Sequence, residues 1–375
     1  ATCWSSASLS MTSIVSGSAL RGNSVRAAVT TMSSRGAAVS ALVASALAET
    51  QAAEALPASI GPFRVLRELG RGGMGRVVLA LRDGLDGGPH VAIKMLDRAM
   101  ARGDDRRRFD RERETLARLQ HPHIARLFDG GVADDGTPYL VMEFVEGAPI
   151  DEYCRSRALD VPARLGLVRQ VCEAVEYAHG RLVVHRDLKP ANVMVDAHGQ
   201  VTLLDFGIAK WLDDLDAASP LTLTLHRVLT PAHAAPEQFR GEPITAATDV
   251  YQLGLLLYLL LTGERAHRVD GTSTDAVQRA VCEVDPVAPS LAVRPGDGAA
   301  ALSRRLAGDL DAIVLKALRK APADRYATVE ALRRDLDNHL THRPVSAHAG
   351  TRLYALRKYV RRHRVPVAAA AGVLS

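Results

Sequence analysis

Two short stretches bring oxygen donors, a base and cations close together along the chain. The first is "VVHRDLKPANVMV", residues 183 to 195, and the second, ten residues on, is "DFG" at Asp205 to Gly207. His185, Arg186, Asp187, Lys189 and Asn192 crowd polar groups between runs that read as apolar strands, and packing alone gives no reason for them. Asn192 and Asp205 offer two oxygen donors. That suits Mg²⁺, a hard ion that takes few protein ligands together with phosphate oxygens. Asp187, five residues before Asn192 and clear of the metal, is placed to take a proton from a hydroxyl.

Upstream, "LGRGGMGRVVLA" sets Gly70, Gly72 and Gly75 in a G-x-G-x-x-G pattern followed by Val77. Alone this signal is weak. A dinucleotide turn needs a helix opening at the third glycine, whereas "RVVLAL" alternates and is β-branched, so the loop joins two strands. A glycine-rich hairpin lets backbone N–H groups approach phosphate oxygens without side-chain obstruction. "VAIK", residues 91 to 94, then ends an apolar strand on Lys94. The plain alternative is a lysine snorkelling to the surface. An inward lysine needs an anionic partner, and Glu112 on the apolar-facing side of the next helix supplies one, while Glu114 points elsewhere. A Lys94–Glu112 pair aims the ammonium at nucleotide phosphates.

The elements that must position these groups read as follows. "FRVLRELG", "GRVVLAL" and "HVAIKML" are strands, and "TPYLVMEFVEG" closes a small strand-rich region. "RRRFDRERETLARL" is a helix with Phe109, Glu112, Leu116 and Leu119 on one face. After Gly147 helices dominate. In "RLGLVRQVCEAVEYAHG", Leu165, Val168, Cys172, Val175 and His179 form one buried stripe, which gives Cys172 and His179 structural roles. "DVYQLGLLLYLLLTG" is apolar all round and shorter than the roughly 20 residues of a membrane span, so it is a central core helix. Further helices run through "LAGDLDAIVLKALRK" and "TVEALRRDLDNHL".

Taken in order, GRGGMGRV, VAIK, HRDLKPAN, DFG, APE and DVYQLG resemble the eukaryotic-type (Hanks-type) protein kinases, in particular the bacterial receptor-like Ser/Thr kinases. The resemblance runs from about Phe63 to about Arg343. It implies an α+β, bilobal fold with a β-rich N-lobe over residues 59–145 and a larger helical C-lobe over residues 146–343. It implies that Leu69, Gly70, Gly72, Gly73, Gly75, Val77 and Ala92 enclose ATP. Lys94 binds the α/β-phosphates, held by Glu112. Met142 is the gatekeeper, and the backbone of Glu143 and Val145 meets adenine. Asp187 is the catalytic base beside Arg186, Lys189 steadies the transferred phosphate, and Asn192 and Asp205 are the Mg²⁺ ligands. Glu237 pairs with Arg325 to brace the substrate platform, and Asp249 anchors the catalytic loop. The activity implied is transfer of the ATP γ-phosphate to protein Ser/Thr hydroxyls. A pseudokinase scaffold on the same fold would lack Lys94, Asp187, Asn192 or Asp205, and none is lost.

"LTLTLHRVLTPAHAAPEQ", residues 221 to 238, alternates like a strand but lies between DFG and APE. The resemblance makes it the activation segment, with Thr230 as the family's fixed threonine and Thr222 and Thr224 as autophosphorylation sites. Arg186 is the nearest partner for such a phosphate, with Arg227 a second. Leu229 and His233 depart from the family's glycine and tyrosine where a peptide docks.

Charge separates the ends from the middle. Arg352, Arg357, Lys358, Arg361, Arg362 and Arg364 carry six positive charges without an acid, and removing them from the net +5 leaves the rest of the chain at −1. Such a segment seeks an anionic surface. Eleven uncharged, mostly small apolar residues, 365–375, follow it. Residues 344–364 therefore read as a basic juxtamembrane segment, 365–375 as the start of a membrane-spanning helix, and the kinase domain as cytoplasmic. No aromatic interleaving supports a nucleic-acid partner. Receptor-like kinases of this type also form homodimers, which the resemblance carries over as a partner expectation. Residues 1–58 are rich in Ala and Ser and read as a disordered leader. Cys3, Cys154, Cys172 and Cys282 form no CxxC pair and read as free thiols.

Overall fold

The computed structural model describes residues 56–72, 75–83, 88–96, 113–206, 231–267 and 274–348, with Tyr354 and Lys358. Glu112, Gly73, Gly207, Thr222, Thr224, Arg227, Leu229, Thr230, most of the leader, the 365–375 run and the basic residues of 352–364 other than Lys358 lie outside them.

Six antiparallel strands build the first lobe: β1 (Ser59–Ile60), β2 (Phe63–Gly72), β3 (Gly75–Arg82), β4 (His90–Leu96), β5 (Leu127–Val132) and β6 (Pro138–Glu143), in the order β1-β2-β3-β4-β6-β5. The period of two decides what each face does. Val78, Ala80, Val91, Ile93, Tyr139 and Val141 meet Ile60 and Phe63 in one apolar core. Ala92 and Lys94 therefore face the other way, with Ala92 opposite Met142 and Lys94 opposite Leu140 on β6. Two register shifts in β2, at Val65/Arg67 and Glu68/Gly70, disturb the ladder just before the glycine hairpin.

The second lobe is helical. A small sheet, β7 (Ala148–Pro149), β8 (Val193–Val195) and β9 (Val201–Leu203), lies on α1 (Ile150–Ser156) and α2 (Val161–His179). The Asp160 carboxylate caps α2 by accepting from Ala163 N at 3.0 Å. Then come α3 (Pro236–Arg240), α4 (Ala246–Thr262), α5 (Thr274–Cys282), α6 (Pro289–Ala292), α7 (Ala299–Leu306), α8 (Asp309–Ala317) and α9 (Val329–Leu340). As its all-round apolarity predicts, α4 is the central helix, buried from Thr248 to Tyr258. Thr245 caps its start, and Gly263 ends it at φ 75°. A β-carbon at Gly254 would lie 2.9 Å from Ala317 Cβ, so glycine allows α8 to pack closely. Cys154 and Cys172 are buried free thiols, and burial pushes the Cys172 thiol up to about 12.

The lobes join where Ala125 N donates to Leu203 O at 3.0 Å and Leu203 N to His123 O at 2.9 Å. Val183 and Val184, expected as strand, instead begin an irregular loop, because their neighbours' backbone groups bond to side chains rather than to a ladder. Among the described residues no helix is long and apolar enough to cross a membrane.

Leu182 stands out just before that loop. It adopts φ 63° with 94% of its surface exposed. A left-handed leucine costs about 1–2 kcal/mol and here gains no burial in return. Leu182→Asn, which tolerates this backbone region, is expected to raise the melting temperature by about 1–3 °C. A lower melting temperature by calorimetry would count against the strain.

Candidate active site

The loop from His185 to Asn192 starts from backbone donors. His185 N donates to Asp249 Oδ2 and Arg186 N to Asp249 Oδ1, each at 2.8 Å. One turn along α4, Gln252 accepts from Leu188 N at 2.9 Å and donates to Arg186 O at 2.9 Å. Gln238 of α3 donates to the same Arg186 carbonyl at 3.0 Å. These bonds hold Arg186 at φ 68°, a left-handed conformation that persists only where its surroundings over-determine it. His179, read from its stripe as a core residue, places Nε2 2.7 Å from Asp249 Oδ2. It is therefore a positioning contact on the loop's anchor. Gln252 and Gln238 were not picked out from the sequence. The one available signal was the spacing of three between Asp249 and Gln252 in an otherwise apolar helix.

The His185 ring links the two motifs. Its Nδ1 accepts from Asp187 N at 3.3 Å, and its Nε2 donates to Leu204 O at 2.9 Å. Burial lowers its pKa, so the neutral ring is the form that makes both bonds. Asp187, 5% exposed, then receives Lys189 Nζ on Oδ2 at 2.8 Å and Asn192 Nδ2 on the same oxygen at 3.2 Å. Asn192 Nδ2 also donates to Asp187 O at 2.8 Å, which leaves Oδ1 as the amide's acceptor atom.

Lys94 is buried, and its Nζ lies 2.8 Å from Asp205 Oδ2. Among the described residues this is the carboxylate Lys94 meets; Glu112, its expected partner, lies outside them. Asp205 sits at φ 52°, and its Oδ1 is buried without a hydrogen-bond partner. An orphaned carboxylate oxygen in a polar cleft is the vacancy a hard cation satisfies. Above it β2 and β3 close the glycine hairpin, with Gly70 opposite Val77 and Gly72 opposite Gly75. A β-carbon at Gly75, φ 129°, would lie 1.9 Å from Met95 O, so only glycine fits. At Gly70 and Gly72 it would meet open space, the room a phosphate needs beside bare backbone.

The glycine hairpin, Lys94, Asp187, Lys189, Asn192 and Asp205 line one cleft of about 560 Å³. Leu69, Val77, Ala92, Met142 and Val145 form an apolar end, and Lys94, Asp187, Lys189, Asn192 and Asp205 a charged one. Among the described residues its lining carries Arg71, Lys94 and Lys189 against Glu143, Asp187 and Asp205. A polyphosphate brings several negative charges, and Asn192 and Asp205 are oxygen donors that fit a hard counter-cation.

Below the cleft, Glu237 and Arg325 form a fully buried bidentate pair at 2.7 and 2.8 Å. Arg325 spends its remaining donors on the carbonyls of Ala247, Lys320 and Arg319, and Thr248 Oγ1 donates to Glu237 Oε1 at 2.7 Å. His233 lies in the turn Pro231–His233 with Nδ1 buried and unpartnered. Burial, with Arg265 nearby, lowers its pKa to about 4, and Asp187 and Lys189 lie within its electrostatic reach.

With this geometry in view, the comparisons identify the class. A family model described as protein kinase domain matches residues 63–336. The chain is 38% identical over 275 residues to serine/threonine-protein kinase PknB of Mycobacterium tuberculosis, covering 72% of this chain and 41% of that one. It is 36% identical over 294 residues to a probable serine/threonine-protein kinase of Streptomyces coelicolor, covering 77% and 41%. The solved Mycobacterium tuberculosis PknI kinase domain matches with a TM-score of 0.56 at 31% identity, covering 76% of this chain and 100% of that one. The chain belongs to the protein kinase family. It spans 41% of the length of these curated relatives.

Burial alone would raise the Glu237 carboxyl, but hydrogen bonds and charge from Arg325 outweigh it and hold its pKa below the ordinary value. A depressed folded value means that this stabilisation is complete above about pH 4.5 and is lost as pH falls through the folded value. Glu237→Gln strands a buried guanidinium, so the variant should lose about 3–5 kcal/mol at pH 7, with the gap to wild type narrowing below pH 4. Melting curves across pH 3–7 check this, and a gap independent of pH would contradict it.

Proposed function

We propose that this chain is a serine/threonine protein kinase, transferring the γ-phosphate of ATP to Ser or Thr hydroxyls of proteins. The observation that carries this is the convergence in one cleft of Lys94 on Asp205 and of Lys189 and Asn192 on Asp187, beneath a hairpin open at Gly70 and Gly72. Adenine takes the apolar end, between Ala92, Leu69 and Met142, where the backbone of Glu143 and Val145 supplies its hydrogen-bonding edge. Lys94 takes the α/β-phosphates. Bound Mg²⁺, held by Asn192 and Asp205, supplies neutralisation of the phosphate oxygens.

Transfer then depends on positioning and charge more than covalent help. The acceptor hydroxyl oxygen forms its bond to the γ-phosphorus as the bond from phosphorus to the bridging β–γ oxygen breaks, and ADP leaves. Asp187 orients the hydroxyl and takes its proton. Lys189, held on the same carboxylate, offers its positive charge to the transferred group. The pseudokinase reading has no support, because the residues it would lack are present and mutually arranged.

The same reading extends to control and location. Phosphorylation of Thr222 and Thr224 in the activation segment adds about −1.5 to −2 charge each, with Arg186 as the near partner. The kinase domain is cytoplasmic, and the basic segment meets an anionic membrane surface next to an anchoring helix that begins within 365–375. Homodimer formation belongs to the same receptor-like scheme.

Incubation with labelled ATP and Mg²⁺, followed by phosphosite mapping, tests the activity. Asp187→Asn and Lys94→Met should each lower phosphotransfer by about 10²-fold or more. Wild type no more active than these variants would refute the reading. Replacing Thr222 and Thr224 together by Ala should lower the rate on the order of tenfold, the loss of about one charge-assisted hydrogen bond. An unchanged rate would remove them as the switch.

A further inference from the structure

Asp309 opens α8 on the helical lobe, outside the cleft, and its side chain is 7% exposed. Three groups converge on its carboxylate. His339 Nδ1 lies 3.0 Å from Oδ2, the Tyr354 hydroxyl donates to Oδ1 at 2.9 Å, and Lys358 Nζ contacts Oδ2. The first turn of a helix also favours a negative charge. Burial alone would raise this carboxyl, but the hydrogen bonds from His339, Lys358 and Tyr354 outweigh it and hold it below the ordinary range.

Tyr354 and Lys358 are both helical and four residues apart, so they share one face. The Tyr354 hydroxyl also accepts from Val345 N at 3.1 Å, and its ring stacks on His348 with centroids 4.6 Å apart. Just upstream, Asp335 on α9, itself buried, accepts from Ser346 N at 2.7 Å, and from Ser346 Oγ and Ala347 N, each at 2.9 Å. Two buried carboxylates thus tie down the chain that follows α9. Two of the three groups on Asp309 come from the segment that carries the cluster of positive charge. Lys358, at 12% side-chain exposure, cannot keep this contact and also meet a lipid phosphate.

We propose that the surface around Asp309 is a docking socket for the chain's own basic C-terminal segment, read through the Tyr354–Lys358 pair, and that an anionic membrane surface competes with Asp309 for Lys358. The competition rests on the membrane reading above, whereas the socket does not. A desolvated ion pair resists salt, while attraction to a lipid surface fades within a Debye length. Each basic residue near an anionic membrane adds to that attraction. Arg352, Arg357, Arg361, Arg362 and Arg364 therefore give a sufficiently anionic surface the means to draw the segment off one docked lysine.

The test uses the full chain as wild type, Asp309→Asn and Lys358→Met. Tryptic cleavage within 352–364 and hydrogen exchange over 345–358 should both quicken by about tenfold in each variant, with phosphotransfer unchanged. Lys358→Met removes the contact without altering the helical lobe, so the result does not depend on Asp309→Asn folding normally. Equal protection in all three chains overturns the socket. Phosphatidylglycerol vesicles should bind Asp309→Asn about tenfold more tightly than wild type, and pure phosphatidylcholine vesicles should bind neither. Equal affinity of the two chains for the anionic vesicles overturns the competition. Binding by neither chain defeats the membrane reading and the competition together, and the socket is then decided by protection alone.

Discussion

The active site depends on one buried carboxylate. Asp249 has no exposed surface, yet it accepts from His185 N, Arg186 N and the His179 ring. These bonds occupy both its oxygens, so the cost of burying it is met by polar partners. In return it holds the backbone at Arg186 in a left-handed conformation that the residue would not choose. That turn delivers Asp187 to Lys189 and Asn192 on one side, and sets the His185 ring against Leu204, next to Asp205, on the other. Because α4 is packed on every side, the anchor cannot drift.

Above the anchor the charges are arranged in opposed pairs. Lys94 with Asp205 and Lys189 with Asp187 are close and poorly exposed, so each ion's burial is offset by its neighbour. Asp205 keeps its second oxygen, Oδ1, buried and without a hydrogen-bond partner among the described residues. The bidentate Glu237–Arg325 pair does a different job lower down, joining the start of α3 to the turn before α9 with every arginine donor used.

Much of this was legible because the reactive residues come in short, ordered strings with fixed spacing. The glycine hairpin, Lys94, the loop from His185 to Asn192 and Asp205 all reach one cleft, as their types suggested. The central position of α4 followed from apolarity on every side. What could not be read were partnerships made by folding. Gln252 and Gln238 look like ordinary polar residues until their amides meet the Arg186 carbonyl. Lys94 reads from helix phase as facing Glu112, which lies outside the described residues, and its contact with Asp205, far along the chain, carries no signal in the sequence. The strand β5, "LFDGGV", carries two glycines and no clear alternation, so its pairing with β6 gave no periodic signal. Lys358 read as one of six cations, and nothing in the sequence marked its contact with Asp309.

The central claim is that Asp249 sets the loop geometry on which chemistry depends. Steady-state kinetics of Asp249→Asn, with circular dichroism to confirm the fold, test it most directly. The account predicts a fall in kcat of roughly 100-fold with KM for ATP little changed, because misplacing a catalytic group by about 1 Å costs that much while the nucleotide pocket stays intact. A folded Asp249→Asn chain with wild-type kcat would contradict it.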